Sequence, residues 1–166
     1  MKFSILVSIL ASSLFLLSAD APVKTLPDIE IKTLDGKTVN IQSYGQNGKI
    51  TILSFWATWC SPCKRELDAI SELYPDWVDS YDVELIAITT DDARALSKVK
   101  PLVAQKGWEF EILSDSKRQL QQALNFQAIP QTFLINKEGH IVSQHEGYKP
   151  GDEYELEDEI KKLAVE

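Results

Sequence analysis

Two cysteines, Cys60 and Cys63, are the only ones in the chain, and they lie in Trp59-Cys60-Ser61-Pro62-Cys63-Lys64. Two intervening residues bring the sulfurs together when the second cysteine sits one helical turn beyond a first at the helix cap. A disulfide can then open and close across a very short loop. So small a loop restrains the unfolded chain little, which weighs against a purely structural bridge and for redox chemistry. Ahead of a helix, the Cys60 sulfur would face unpaired backbone N–H groups and the positive end of the helix dipole. Both stabilise a thiolate and lower its pKa from about 8.5. Cys63, one turn into the helix, should be more buried and less acidic. The chemistry is thiol–disulfide exchange: attack by Cys60, a mixed disulfide, then resolution by Cys63. Glu66, three residues past Cys63, has two readings. It is a solvated charge in the run Lys64-Arg65-Glu66, or a carboxylate that takes the proton Cys63 must lose. Trp59 fills the core or lines a docking surface beside the disulfide, and Lys64 and Arg65 read as solvated.

The elements that must hold these residues are legible on either side. Ile50-Thr51-Ile52-Leu53-Ser54-Phe55-Trp56 is a near-continuous β-prone run, as in a central strand covered on both faces. Phe55 and Trp56 belong to its core side. From Ser61 the period changes, and Leu67, Ile70, Leu73, Tyr74 and Trp77 recur at helical spacing, with Pro62 in the first turn. Upstream, Ile29–Ile31 and Thr38–Ile41 alternate around an Asp35-Gly36 turn and predict a hairpin. Gln42 to Gly48 reads as a polar surface connection. Downstream, Val83–Thr89 predicts a second buried strand. Asp91-Asp92 would open a helix to Lys106, kinked or split at Pro101. A short strand over 109–113 and a helix over 115–125 follow. A hairpin of Thr132–Asn136 and His140–Glu146 turns at Gly139, with His140 and His145 on its surface, and a C-terminal amphipathic helix carries Leu156, Ile160 and Leu163. The order predicts an α/β fold: a central mixed sheet flanked by helices, with an N-terminal β-hairpin and a central β-α insert.

With 166 residues the chain suits one domain. A net charge of −8 with no basic patch argues against nucleic-acid binding. The cysteines alone supply half of a tetrahedral zinc site, so no metal is expected. No flavin, nicotinamide or haem motif is present, so no cofactor is expected and electrons must come from another protein. Residues 1–19, with Lys2 ahead of an apolar stretch from Phe3 to Leu17, read as a signal peptide or an N-terminal membrane anchor. The remainder, 20–166, is the domain. Either reading places it outside the cytosol, periplasmic or otherwise extracytoplasmic, where disulfides persist.

Phe55-Trp56-Ala57 leading into Trp59-Cys60-Ser61-Pro62-Cys63-Lys64, on this element order, resembles the TlpA/ResA group of extracytoplasmic thiol–disulfide oxidoreductases. These are thioredoxin-like proteins of the AhpC/TSA-redoxin type. The resemblance covers about residues 25 to 165. It implies Cys60 as nucleophile and Cys63 as resolving partner. Ile129-Pro130 would be the cis-proline loop facing the disulfide, where an extended substrate pairs with the Ile129 backbone. Glu66 matches a carboxylate beside the active site, and Trp59 lines the docking surface. Two positions depart from thioredoxin itself: Ser54 stands where thioredoxin has a buried aspartate, and Ser61-Pro62 replaces Gly-Pro. The implied partners are thiols and disulfides of exported proteins, with apocytochrome c among the clients, and a membrane electron donor of the DsbD/CcdA type. The implied state is a monomer acting as a reductant. Two other classes compete: a peroxiredoxin-like thiol peroxidase, which lacks its proline-threonine arrangement here, and a non-catalytic binding module of the same fold.

Overall fold

The computed structural model describes residues 24–165; the signal or anchor over 1–19 lies outside the described residues. Seven strands form one mixed sheet: β1 (Glu30–Thr33), β2 (Thr38–Asn40), β3 (Ile50–Trp56), β4 (Val83–Thr89), β5 (Glu111–Ser114), β6 (Gln131–Ile135) and β7 (Ile141–Glu146). Their order across the sheet is β2-β1-β5-β4-β3-β6-β7. The central pairs β3–β4 and β4–β5 are parallel and need helical crossovers. These are supplied by α1 (Ser61–Tyr81) and α2 (Val99–Lys106). The outer pairs β1–β2, β1–β5, β3–β6 and β6–β7 are antiparallel. Two further helices, α3 (Gln119–Leu124) and α4 (Asp152–Ala164), complete the layers.

Every residue of β3 is buried, as its continuous apolar run requires. Alternation along the strand then divides the core in two. Ile50, Ile52 and Trp56 pack with Leu67, Ile70 and Trp77 of α1 and with Leu156 and Ile160 of α4. Leu53 and Phe55 point the other way, to Phe126, Phe133, Leu120 and Leu124. Ser54 has the parity of the first set, so its hydroxyl faces α1. This single polar position in the row sets up the site.

Three departures from the sequence reading have local causes. The helix expected from Asp91 begins later, as a 3₁₀ turn over Leu96–Lys98 running into α2. Pro101 falls in the first turn of α2, where no intrahelical donor is missed. Asp92 instead closes a turn, accepting the N–H groups of Arg94 and Ala95. The helix expected from Asp115 starts at Gln119, because the Asp115 carboxylate accepts the N–H groups of Gln119 and Gln121 from upstream. The polar connection after β2 is a 3₁₀ helix, Ile41–Gln46, that buries Ile41 and Tyr44. Gly139, at φ 83°, abuts it so closely that a Cβ would lie 2.1 Å from the Gly45 carbonyl oxygen. Only glycine fits that turn.

Candidate active site

β3 ends at Trp56, and the chain crosses four residues to α1. A backbone bond from Cys60 N–H to the Ala57 carbonyl, 3.0 Å, tightens this crossing. Cys60 is the helix N-cap, extended at φ −86° and ψ 99°, and its Sγ accepts the Cys63 N–H at 3.3 Å. A sulfur in that position stands in for the oxygen of a Ser or Asp cap, and it meets the positive end of a helix 21 residues long. Cys60 and Cys63 are joined in a disulfide, with their Cα atoms 5.4 Å apart. Cys60 keeps 4% of its surface exposed and Cys63 none, an asymmetry that fits one attacking and one resolving sulfur. Opposite them the Ile129–Pro130 peptide bond is cis, and the Ile129 carbonyl oxygen lies 3.9 Å from Cys60 Sγ. Trp59 is 65% exposed, so core filling is excluded. Its neighbours on the loop are held: Lys64, expected in solvent, is half-buried and donates from Nζ to the Thr58 carbonyl at 3.0 Å.

Behind the disulfide, Glu66 is 6% exposed and is not a solvated charge. It sits on the face of α1 that carries Cys63 and Ile70, directed at the sheet. Ser54 and Thr132 are register partners across β3 and β6. The Thr132 hydroxyl donates to one Glu66 oxygen at 2.8 Å and the Ser54 hydroxyl to the other at 3.3 Å. Burial pushes the Glu66 pKa up to about 7, and the two hydroxyl bonds offset only part of that. Ser54 thus lacks the strand carboxyl of thioredoxin but holds a helix carboxyl in front of it. A group of that pKa, one turn past Cys63, exchanges protons near neutrality.

Two participants escaped the sequence reading. Asp91, 1% exposed, is no helix-opening acid. Its carboxylate accepts the Thr58 N–H and the Thr58 hydroxyl, both at 2.8 Å, and the Thr89 hydroxyl at 2.7 Å. The end of β4 thereby clamps the loop two residues before Cys60. His145 is not a plain surface residue either. It pairs with Thr132 across β6 and β7, and its Nε2 lies 3.0 Å from Ser143 Oγ and 3.1 Å from a Glu159 oxygen. An aspartate after a buried strand beside a threonine-bearing loop was the available signal for the first. The second depends on register. Among the described residues, no cluster of three or more His, Cys, Asp or Glu could hold a metal ion.

The family model described as the AhpC/TSA family matches residues 22–144. The thiol-disulfide oxidoreductase ResA of Bacillus anthracis is 32% identical over 141 residues, 85% of this chain and 78% of that protein. A thioredoxin-like protein of Porphyromonas gingivalis, solved in solution, is 43% identical with a TM-score of 0.75, over 84% of this chain and 92% of that one. A crystal structure of a putative thiol:disulfide interchange protein DsbE from Chlorobium tepidum is 25% identical with a TM-score of 0.74, over 86% and 96%. The family match, the structural likeness and the bonded cysteine pair agree: the chain belongs to the AhpC/TSA family and is a thiol–disulfide oxidoreductase of the ResA kind.

Proposed function

We propose that this enzyme reduces disulfides of exported proteins, with Cys60 as nucleophile, Cys63 as resolving thiol and Glu66 as proton acceptor. The observation that carries this reading is the buried Glu66 behind a cysteine-capped helix, held at a pKa of about 7. In the reduced enzyme the Cys60 thiolate attacks a client disulfide; a Cys60–client bond forms and one client thiolate leaves. Cys63 then passes its proton to Glu66 and attacks Cys60 Sγ. The Cys60–Cys63 bond forms, the second client thiolate leaves, and two electrons have moved to the client. An extended client segment would pair with the Ile129 backbone and rest on the exposed Trp59, a strand-addition mode. The apolar segment over residues 1–19 supports an extracytoplasmic site, as a cleaved signal or retained anchor. There apocytochrome c is a fitting client class, and the oxidised pair would be re-reduced by a membrane thiol donor of the DsbD/CcdA type.

Insulin reduction with dithiothreitol, run beside peroxide consumption, tests the reaction class. The wild type is expected to precipitate insulin and Cys60→Ser to lose that activity; peroxide turnover that outpaces it would instead establish the peroxidase. A redox titration against glutathione then fixes the direction.

A further inference from the structure

Proton transfer to Glu66 leaves a problem that the fold answers. The carboxyl is buried, and a client lying on Trp59, Cys60 and Ile129 would cover the open side of the disulfide. A second opening lies on the other side of Glu66. A cavity of about 20 Å³ has Glu66, Thr132, His145, Tyr148, Asp152 and Glu153 in its lining, with Ile70 of α1 and Leu156 of α4 as apolar wall. That is room for about one water, and both the Glu66 carboxyl and the His145 imidazole border it. None of Trp59, Cys60 and Ile129 borders it.

The lining follows from register. Ser54 pairs with Thr132, and Thr132 pairs with His145, so one polar row crosses β3, β6 and β7 on the face that meets α1 and α4. The row begins at the Glu66 carboxyl and ends at an imidazole whose side chain is 35% exposed. Beyond it stands Glu159 of α4, 3.1 Å from His145 Nε2. On the other flank the Tyr148 hydroxyl donates to Glu153 at 2.9 Å, which ties down the β7–α4 connection. The charged groups facing Glu66 oppose each other, with His145 drawing protons off the carboxyl and Asp152 favouring their retention.

We propose that this cavity is the exit for the proton that Glu66 takes from Cys63, through one water to His145 and from there to solvent. The proposal rests on Glu66 being the acceptor. Protonated Glu66 gives its proton to the water, the water gives one to the imidazole, and the imidazole releases it beside Glu159. No electron moves in this step. The enzyme can then discharge the proton while its client is still bound. His145 touches neither sulfur nor client and is a positioned relay.

The test is a single-turnover reaction of the reduced enzyme with a disulfide-linked peptide, quenched in acid, following decay of the Cys60–peptide intermediate at about pH 6, where Glu66 starts protonated and must empty through the exit before it can take the Cys63 proton. His145→Ala is expected to slow this decay about tenfold, less than the roughly hundredfold or more of a group that meets the reacting atoms directly, because His145 acts one water removed from Glu66. Added imidazole should restore it in proportion to its concentration. Leu156→Phe, which fills the cavity from α4, should slow the decay without responding to imidazole. Wild-type decay in His145→Ala, or slow decay indifferent to imidazole, overturns the exit. Glu66→Gln separates the two claims: unchanged decay there removes the acceptor itself, whereas slow decay with a silent His145→Ala removes only the route.

Discussion

At the scale of single residues, two side chains near the disulfide carry opposite kinds of commitment. Trp59 is a large ring left in water, and the fold derives almost nothing from it. Glu66 is an acid kept out of water, and the fold bears its desolvation. The first arrangement suits the proposed docking surface, on which a client would cover the ring. Trp59→Ala is therefore expected to change unfolding free energy by no more than about 0.5 kcal/mol, as at ordinary surface sites. The same variant should lower kcat/KM toward a peptide disulfide about tenfold, mostly through KM, because the contact is made equally in ground and transition states. Urea unfolding and steady-state reduction measure the two quantities; a large stability loss with unchanged KM would make Trp59 structural. Both readings of Trp59 and of Glu66 were open in the sequence, since spacing places a residue on a helix face without saying what covers that face.

At the scale of elements, strands and helices were readable because their periods are local. The β3 run, the switch to helical spacing at Ser61 and the Asp35-Gly36 turn each announce themselves within a few residues. The clamp on the active-site loop does not, because its two halves come from different strands. Asp91 follows β4 and Thr58 follows β3, and only the parallel β3–β4 register, with Trp56 opposite Thr89, brings them together. His145 escaped for the same reason, through the antiparallel pairing of β6 with β7. Asp91→Ala would leave the Thr58 N–H and two hydroxyls short of their buried acceptor. The expected loss is about 2–4 kcal/mol of stability. The loop ahead of Cys60 should also loosen, which alkylation of reduced Cys60 against pH would register as a shifted thiol pKa. A stable variant with an unaltered alkylation profile would show that α1 alone positions Cys60.

At the scale of the whole molecule, the buried carboxyl couples the site to global stability. Glu66 has a folded pKa of about 7 against 4.5 for a free glutamate, so between those values the folded state binds more protons than the unfolded one. Stability then falls as pH rises through this window and levels off above it, the reverse of a carboxylate held by a cation. About 2.5 pKa units correspond to about 3 kcal/mol, which Glu66→Gln should abolish because an amide stays neutral throughout. Comparing the two oxidised proteins cancels the contribution of Asp115, another carboxyl raised by burial. Urea midpoints from pH 4 to 8 should therefore run nearly parallel below pH 4.5 and diverge toward pH 7, with the variant the more stable at neutrality. A constant difference between the two curves would mean that Glu66 titrates in the folded protein as it does in the unfolded chain, near 4.5, and such a carboxyl would hold no proton to pass on at neutrality.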